Sequence, residues 1–375
     1  MIGVAVRLMS VDVGIVGLAK SGRTTIFNAL TGGSVDTGGY GQESSALHVG
    51  TAKVPDPRLK VLVDMFRPRS LVPASVTYTD IGASVKSLVE KGISGQLLTQ
   101  LSNVDVLINV VRAFKDESVP HTEGSLDVER DITNMDMELA FSDLALVEKR
   151  LGRIEASLKG AKPSERSGIL QEQELLLRIK LELEKDVPIR EVPLSAREVK
   201  AIAGYQFLTA KPVLIVVNIG EEQLSQSESL TAELGSRYSR PQCRLITICG
   251  KLEMELAQLE DSAADALRAD YGLKETGLER VIRLSYELLG LISFFTVGSD
   301  EVKAWSIPGT TTAVKAAGKI HSDIERGFIR AEVISYEDLV QCGSLAEGRK
   351  KGLLRLEGKD YLVRDGDVIN FLFNV

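Results

Sequence analysis

The sequence predicts an α/β protein in which a parallel sheet carries helices on both faces, with a helical insertion and a small α+β module at the end. Three features predict this class. Strand-like and helix-like segments alternate from about residue 11 to 115 and resume at about residue 205. A charged helical stretch separates these two parts, and short strand-like runs fill residues 291–375.

The first element is the apolar run Val11–Val16, which predicts a buried strand. A loop bounded by Gly17 and Gly22 follows, and then Ile26–Leu30 begins a helix-like segment. Strand, glycine-bounded loop and helix are the setting that a phosphate-binding loop requires, because backbone N–H groups and the helix start point at one phosphate. The bland alternative is a glycine turn in another kind of α/β protein.

The candidate nucleotide-binding residues all lie in or directly after this loop. They are Gly17, Lys20, Ser21, Gly22, Arg23, Thr24 and Thr25. Arg23 stands where the standard pattern has lysine. Arginine keeps the charge but is longer, planar and forked, so it does not reproduce the geometry of lysine. Nucleotide binding is therefore better supported than rapid hydrolysis.

A metal site is expected beside the loop. Thr24 follows the cation position directly, where a hydroxyl is the natural first ligand of Mg²⁺. Asp80 ends the apolar strand that begins at Val76, and it is the natural acid of the second strand. The alternative for Asp80 is a helix-capping role.

A base-recognition loop is expected after the buried strand Pro212–Val217, at Asn218 and Glu221. Guanine recognition uses an Asn-Lys-x-Asp pattern, and this chain lacks both its lysine and its aspartate. We therefore expect weakened preference for guanine. The alternative for Asn218 is that it only caps the end of a strand.

The inserted stretch has the spacing of a helical hairpin. Leucine, valine and isoleucine recur at intervals of three and four between Leu144 and Leu158, and again between Leu176 and Leu183. The segment Gly160–Ser164 separates the two seams, which predicts an antiparallel coiled-coil hairpin; two ordinary core helices are the alternative. The predicted domains are 11–126 with 205–290 for the nucleotide-binding domain, 127–204 for the hairpin, and 291–375 for the α+β module of ubiquitin-like (β-grasp) type.

Bulk composition restricts partners and compartment. No apolar run approaches the roughly 20 residues that span a bilayer, and the net charge of −7 argues against a protein that coats nucleic acid. The three cysteines have no metal-ligand spacing and predict reduced thiols. We expect a cytoplasmic protein with neither membrane nor DNA as a partner. Arg349–Lys351 is a candidate RNA-contacting patch, with a solvated loop as the favoured alternative.

Co-linear blocks along almost the whole chain resemble the YchF/Obg-like ATPases of the Obg group of P-loop proteins. The blocks are Gly14–Leu18, Phe27–Thr31, Pro55–Leu59, Asn218–Glu221, Val302–Pro308, Ala316–His321, Gly327–Ala331, Glu357–Tyr361 and Asp365–Val375. The resemblance implies an ATP-preferring domain, a coiled-coil insertion and a C-terminal TGS domain. It further implies Mg²⁺ as a cofactor, leaves room for K⁺, and implies ribosome binding in translation or stress regulation through the coiled coil and the TGS domain.

The resemblance also implies a catalytic histidine, at His121, that positions water; a surface-loop histidine is the alternative. It places a further magnesium ligand at Ser44. Three departures fall on the hydrolytic machinery: Arg23, the poorly matching stretch around Ser44, and Ala83 in place of a glycine. We therefore expect a weak ATPase, with a non-hydrolysing nucleotide-binding scaffold and a GTPase as alternatives.

Overall fold

The computed structural model of the protein describes residues 11–35, 47–81, 95–160 and 162–374. Contacts within the chain divide it into two compact units. The first contains Val11–Thr51 and Thr77–Leu284, and the second contains Ala52–Val76 and the chain from Ser285 onwards. Among the described residues, no helix combines the length and the apolar character that crossing a membrane requires.

The described residues form twelve strands. In chain order they are β1 (Val11–Val16), β2 (Leu47–Lys53), β3 (Ser70–Val72), β4 (Ser75–Ile81), β5 (Val106–Arg112), β6 (Val213–Asn218), β7 (Cys243–Ile248), β8 (Leu291–Val297), β9 (Glu301–Pro308), β10 (Phe328–Ser335), β11 (Arg355–Glu357) and β12 (Asp367–Phe373).

They also form fourteen α-helices. These are α1 (Arg23–Thr31), α2 (Pro57–Phe66), α3 (Gly95–Asn103), α4 (Val128–Gly160), α5 (Pro163–Leu183), α6 (Ala196–Ile202), α7 (Ser227–Arg237), α8 (Gly250–Leu256), α9 (Asp261–Asp270), α10 (Gly277–Leu289), α11 (Ala313–Ile320), α12 (Ser322–Arg326), α13 (Tyr336–Cys342) and α14 (Leu345–Lys350). Short 3₁₀ helices occur at Ile189–Glu191, Ala203–Tyr205 and Glu221–Gln226.

The first unit is built on a sheet with strand order β2-β4-β1-β5-β6-β7. The pairs β1–β5, β5–β6 and β6–β7 are parallel, and every residue of β5 and β6 is buried. Runs of branched apolar residues form such strands because both faces of a parallel sheet are covered by helices. The predicted α/β class and its parallel sheet are confirmed, and the carboxyl ends of β1, β5 and β6 share one edge.

The inserted hairpin consists of α4 and α5. Glu148 pairs with Lys180 and Arg150 pairs with Glu172, so the two helices run antiparallel. Their shared core contains Val147, Ile154, Leu176, Ile179 and Leu183 at the predicted spacing. The segment that follows also contributes to this core, through Ile189, Ile202 and Phe207. The helical insertion is confirmed, and it is thicker than two helices alone because a third stretch of chain packs against them.

The base of the hairpin is joined to the strand region by a buried carboxylate. Asp143 accepts hydrogen bonds from the backbone N–H groups of Leu208 (2.9 Å) and Thr209 (2.8 Å), and from the Thr209 hydroxyl (2.6 Å). Burial in the protein interior raises the pKa of Asp143 to about 6, although these three donors oppose that shift.

The second unit is a mixed sheet with strand order β11-β10-β12-β8-β9-β3. The pair β12–β8 is parallel, while β8–β9, β10–β12 and β10–β11 are antiparallel. Helix α11 buries Ala313, Ala316 and Ala317 in the same core as Phe294 and Ile369. This is the α+β architecture expected for the last part of the chain.

Residues 52–76 group with this second unit, whereas the sequence-based boundaries assign them to the nucleotide-binding domain. Strand β3 pairs in parallel with β9 through Ser70, Leu71 and Val72. The Arg58 guanidinium bonds Asp365 at 2.7 Å and lies 4.9 Å from the centroid of the Phe295 ring. These contacts join parts of the chain that are far apart in sequence, so local patterns carry no signal of them.

Candidate nucleotide-binding site

The phosphate loop runs from Gly17 to Gly22, between the end of β1 and the start of α1. Gly22 has φ +90°, and a Cβ atom there would lie 2.2 Å from the Nδ2 atom of Asn218. A Cβ atom at Gly17 would lie 2.4 Å from the carbonyl oxygen of Val110. Both positions therefore exclude any side chain, as the sequence pattern predicts for a loop that approaches a phosphate closely.

The side chain of Asn218 contacts this loop through a hydrogen bond. It is buried at the end of β6, donates from Nδ2 to the Ser21 carbonyl at 3.1 Å, and accepts at Oδ1 from the Gly250 N–H at 3.0 Å. Both ends of its amide are thus used to connect the phosphate loop to the start of α8. Capping the end of a strand does not fully describe this arrangement of Asn218, and neither does direct contact with a nucleotide base.

Glu221 lies at the start of a short 3₁₀ helix, after the same strand. Its carboxylate forms an ion pair of 2.9 Å with Lys251, a residue that the sequence analysis missed. Lys251 follows β7 by three positions, and a basic residue just beyond the carboxyl end of a buried strand was the available signal. Both side chains are well exposed, so the pair is accessible to a ligand.

Thr24 and Asp80 meet at the carboxyl edge of the sheet. The Thr24 hydroxyl donates to Asp80 Oδ2 at 2.9 Å. Asp80 is fully buried, and its second oxygen, Oδ1, has no hydrogen-bond partner among the described residues. A hydroxyl beside a carboxylate with an unused oxygen is a donor set that fits a hard cation such as Mg²⁺. The predicted third ligand, Ser44, lies outside the described residues, as does Ala83.

The charged and hydroxyl side chains of the loop have distinct surroundings. Arg23 donates from Nη1 to the Ile81 carbonyl at 2.6 Å. Lys20, in a left-handed conformation with φ +64°, donates from Nζ to the Pro120 carbonyl at 3.4 Å. The Ser21 hydroxyl is buried and has no partner among the described residues, and Thr25 is half-buried in the first turn of α1. The structure thus brings the seven predicted loop residues together.

His121 lies in the segment that Lys20 contacts, one residue after Pro120. Its Nε2 atom is 2.9 Å from Asp131 Oδ2, and its Nδ1 atom accepts the Glu123 N–H at 3.1 Å. Because Nδ1 acts as an acceptor, the imidazole in this arrangement carries its proton at Nε2 and donates it to Asp131. Arg130 bonds the other oxygen of the same carboxylate at 3.0 Å and 2.9 Å. Both imidazole nitrogens are therefore occupied by protein groups.

A phosphate loop at the carboxyl edge of a parallel sheet, with a helical hairpin inserted into the same chain, makes this an Obg-like P-loop protein. Comparison with known proteins narrows the class. A family model named YchF-GTPase_C, described as "Protein of unknown function (DUF933)", matches residues 291–374. The chain belongs to the YchF family, as the resemblance predicted, because full-length relatives match it end to end.

Those relatives carry the name "Ribosome-binding ATPase YchF". The protein of Bacillus subtilis is 37% identical over 370 residues, covering 98% of this chain and 100% of the relative. That of Escherichia coli O157:H7 is 36% identical over 374 residues with the same coverage. The solved structure of the Schizosaccharomyces pombe YchF GTPase matches with a TM-score of 0.82 at 30% identity, covering 99% of this chain and 100% of that one.

Proposed function

We propose that this protein binds ATP with Mg²⁺ at its phosphate loop, hydrolyses it slowly, and binds ribosomes. The observation that carries the nucleotide assignment is the pair of buried, unpartnered polar atoms at the loop, Ser21 Oγ and Asp80 Oδ1. Buried polar groups without partners cost free energy, so a folded chain retains them where a ligand supplies the partner.

Binding of the phosphates uses the main chain of the loop. Lys20 and Gly22 both have positive φ angles. Left-handed residues of this kind are typical of loops whose successive N–H groups form an anion-binding concavity. The start of α1 adds its unpaired N–H groups and partial positive charge. Thr24 and Asp80 would hold Mg²⁺, which neutralises charge on the phosphates when bound. K⁺ is a second cation that the proposal admits.

The preference for ATP rests on the base loop. Guanine presents N–H donors that an unpaired carboxylate accepts, but Glu221 is already paired with Lys251. The ammonium of Lys251 lowers the acceptor strength of that carboxylate and adds a donor beside it. Adenine offers N1 as an acceptor and its amino group as a donor, so this mixed pair suits adenine better than guanine. GTP is the alternative substrate, and the yeast relative with the matching structure is called a GTPase.

The proposal of slow hydrolysis rests on the positions of Arg23 and His121. The side chain of Arg23 is directed to the Ile81 carbonyl, whereas a P-loop lysine places its charge on the phosphates. His121 orients the attacking water in our proposal, and it has to exchange its contact with Asp131 for that water. The same two observations favour the second candidate, a non-hydrolysing scaffold.

The ribosome assignment comes from the relatives, whose names describe them as ribosome-binding. They align over their full length with this chain, so the hairpin and the C-terminal module have counterparts in them. We propose residues 127–204 and 291–375, the latter as a TGS domain, as the ribosome-contacting parts of a cytoplasmic protein in translation or stress regulation. The nucleotide-binding part comprises 11–126 and 205–290 in this proposal.

Calorimetric titration of the purified protein with ATP, GTP and ADP, with and without Mg²⁺, tests the binding step. We expect ATP to bind more tightly than GTP, and Mg²⁺ to strengthen triphosphate binding. No heat from either triphosphate at millimolar concentration would refute nucleotide binding. Equal or tighter binding of GTP would support the GTPase alternative.

Measurement of ATP turnover tests hydrolysis, and cosedimentation tests ribosome binding. His121→Ala should abolish most ATP turnover while leaving ATP affinity within about twofold, since the imidazole acts on water. Wild-type turnover no faster than that of the variant would support the scaffold. Cosedimentation with ribosomes in ATP, in ADP and without nucleotide tests the partner, and no pelleting in any state would exclude it.

A further inference from the structure

A second arginine stands beside the site, at the last position of β5. Arg112 is 3% exposed, which is rare for an arginine. Its guanidinium donates from Nη2 to the Val119 carbonyl at 2.7 Å and to the Asp116 carbonyl at 3.4 Å, and from Nε to the Phe114 carbonyl at 3.3 Å. The same guanidinium lies 4.5 Å from the centroid of the Phe114 ring.

All these acceptors belong to one short loop, residues 113–119, which wraps around the side chain. Apart from its bonds to Arg112, this loop forms few hydrogen bonds among the described residues. Asp116 accepts from Ser118 N–H and hydroxyl, Val119 N–H donates to the Asp116 carbonyl, and Ala113 N–H donates to the Asn218 carbonyl. The Asp116 carboxylate thus bonds Ser118, and within the described part of the chain Arg112 forms no ion pair with a carboxylate.

The desolvation of Arg112 is compensated differently from that of an arginine that stabilises a protein through an ion pair. Burial lowers the pKa of its guanidinium and is only partly offset by the charge of Asp116. One donor group, Nη1, is buried without a partner among the described residues. Hydrogen bonds to the backbone of a single loop are therefore what offsets the desolvation of this cation. One of its donor groups remains unused in the part of the chain that the structure describes.

That loop leads directly to the proposed catalytic histidine. Pro120, whose carbonyl accepts from the phosphate-loop residue Lys20, follows Val119, and His121 comes next. Arg112 holds the amino-terminal side of this segment, while Asp131 holds the imidazole itself. The guanidinium bonds the Val119 carbonyl, two residues before His121.

We propose that Arg112 is a positioning residue that sets the place of His121 relative to the phosphate loop by ordering residues 113–119. This inference rests on the proposed function, because it assigns His121 a role in nucleotide hydrolysis. Arg112 acts through the loop backbone and contacts neither nucleotide nor water in this scheme.

The test compares Arg112→Gln, Arg112→Lys and a matched control, Arg190→Gln. Arg190 is also buried, at 6% exposed, and donates to Asp136 at 2.9 Å at the base of the hairpin; none of its hydrogen bonds among the described residues reaches residues 113–121. Hydrogen exchange of a peptide covering 113–121 reports the order of the loop. The imidazole NMR signals of His121, one of three histidines in the chain, report its surroundings.

We expect Arg112→Gln to accelerate exchange in this peptide at least about tenfold, the equivalent of one lost hydrogen bond from a charged donor. The His121 signals should shift, and the kcat for ATP should fall by a similar factor with KM within about twofold. Arg112→Lys should restore part of each loss because it keeps the charge and one donor nitrogen. Arg190→Gln should destabilise the protein while leaving loop exchange and His121 signals unchanged.

Unchanged exchange and unchanged His121 signals in Arg112→Gln would overturn the inference, whether or not the wild type hydrolyses ATP. Faster loop exchange with unaltered kcat would overturn it too. If the wild type binds ATP without turnover, the hydrolytic part of the proposed function fails separately, and the NMR and exchange results still decide whether Arg112 positions His121. If Arg112→Gln does not fold, the same measurements are made on Arg112→Lys. We then expect residues 113–121 of Arg112→Lys to exchange faster than in the wild type, and exchange equal to that of the wild type would refute the inference.

Discussion

Replacing Gly22 by alanine tests the geometry of the phosphate loop most directly. Gly22 has φ +90° at the position that caps the start of α1. A methyl group there would stand 2.2 Å from the Nδ2 atom of Asn218, which is far inside van der Waals contact. Asn218 is buried and bonded at both ends of its amide, so it cannot withdraw without losing those bonds.

The expected cost has two parts. The left-handed backbone costs a residue with a Cβ atom about 1–2 kcal/mol. Displacing the Asn218 amide leaves the Ser21 carbonyl and the Gly250 N–H without their partners, at about 1 kcal/mol or more for each. The sum is about 3–5 kcal/mol. Because the same atoms shape the phosphate cradle, we expect ATP affinity to fall at least about 100-fold.

Gly32 provides the matched control at the other end of the same helix. It also has a positive φ angle, +62°, but a Cβ atom there would meet no other atom within 4 Å. Gly32→Ala should therefore cost only the backbone strain, about 1 kcal/mol, and leave ATP affinity within about twofold. Urea unfolding and calorimetric titration with ATP measure both quantities in both variants. Equal affinities in Gly22→Ala and the wild type would show that the loop described here does not hold the phosphates.

Three further predictions concern hydrolysis, metal binding and the hairpin. Arg23→Lys should raise ATP turnover at least about tenfold in a phosphate-release assay, since lysine places a compact charge on the phosphates; unaltered turnover would mean that Arg23 is not the defect. Thr24→Ala should leave ADP binding without Mg²⁺ nearly unchanged but remove most of the strengthening of ATP binding by Mg²⁺, and full Mg²⁺ dependence in the variant would contradict the metal assignment. Asp143→Asn tests a pH effect. Burial raises the pKa of Asp143 from 3.8 to about 6, so the folded state binds this proton more tightly and the stability it contributes below about pH 4 is lost as pH rises through 6. The free energy of unfolding of the wild type minus that of Asp143→Asn should therefore fall by about 2 kcal/mol between pH 4 and 6.5 in urea titrations, and a flat difference would refute the shift.

Much of the site was accessible from local patterns. The loop from Gly17 to Gly22 and the hydroxyl of Thr24 were predicted because glycines, an apolar strand and a helix start must follow one another within a few residues. Thr24 and Asp80 were each predicted as magnesium ligands from their places in the chain, and the hydrogen bond between them was added by the structure. The helical hairpin was visible as leucine periodicity, since helix contacts recur at intervals of three and four residues.

Other features had no local signal. The position of Asn218 between Ser21 and Gly250 and the ion pair of Glu221 with Lys251 both join residues that are brought together only when the sheet assembles. The partner of His121 is closer in sequence, at Asp131, yet it depends on how the loop turns into α4. The spacing of residue types does not encode such turns.

The chain by itself determined the main strands and helices and predicted that one turn approaches a phosphate, because backbone conformation and amphipathic periodicity are set by neighbours within a few residues. Tertiary structure alone decided that β3 joins the sheet of the second unit and that Asn218 supports the loop. These contacts depend on the packing of segments distant along the chain, and their geometry is settled by burial and by the pairing of polar groups that burial requires.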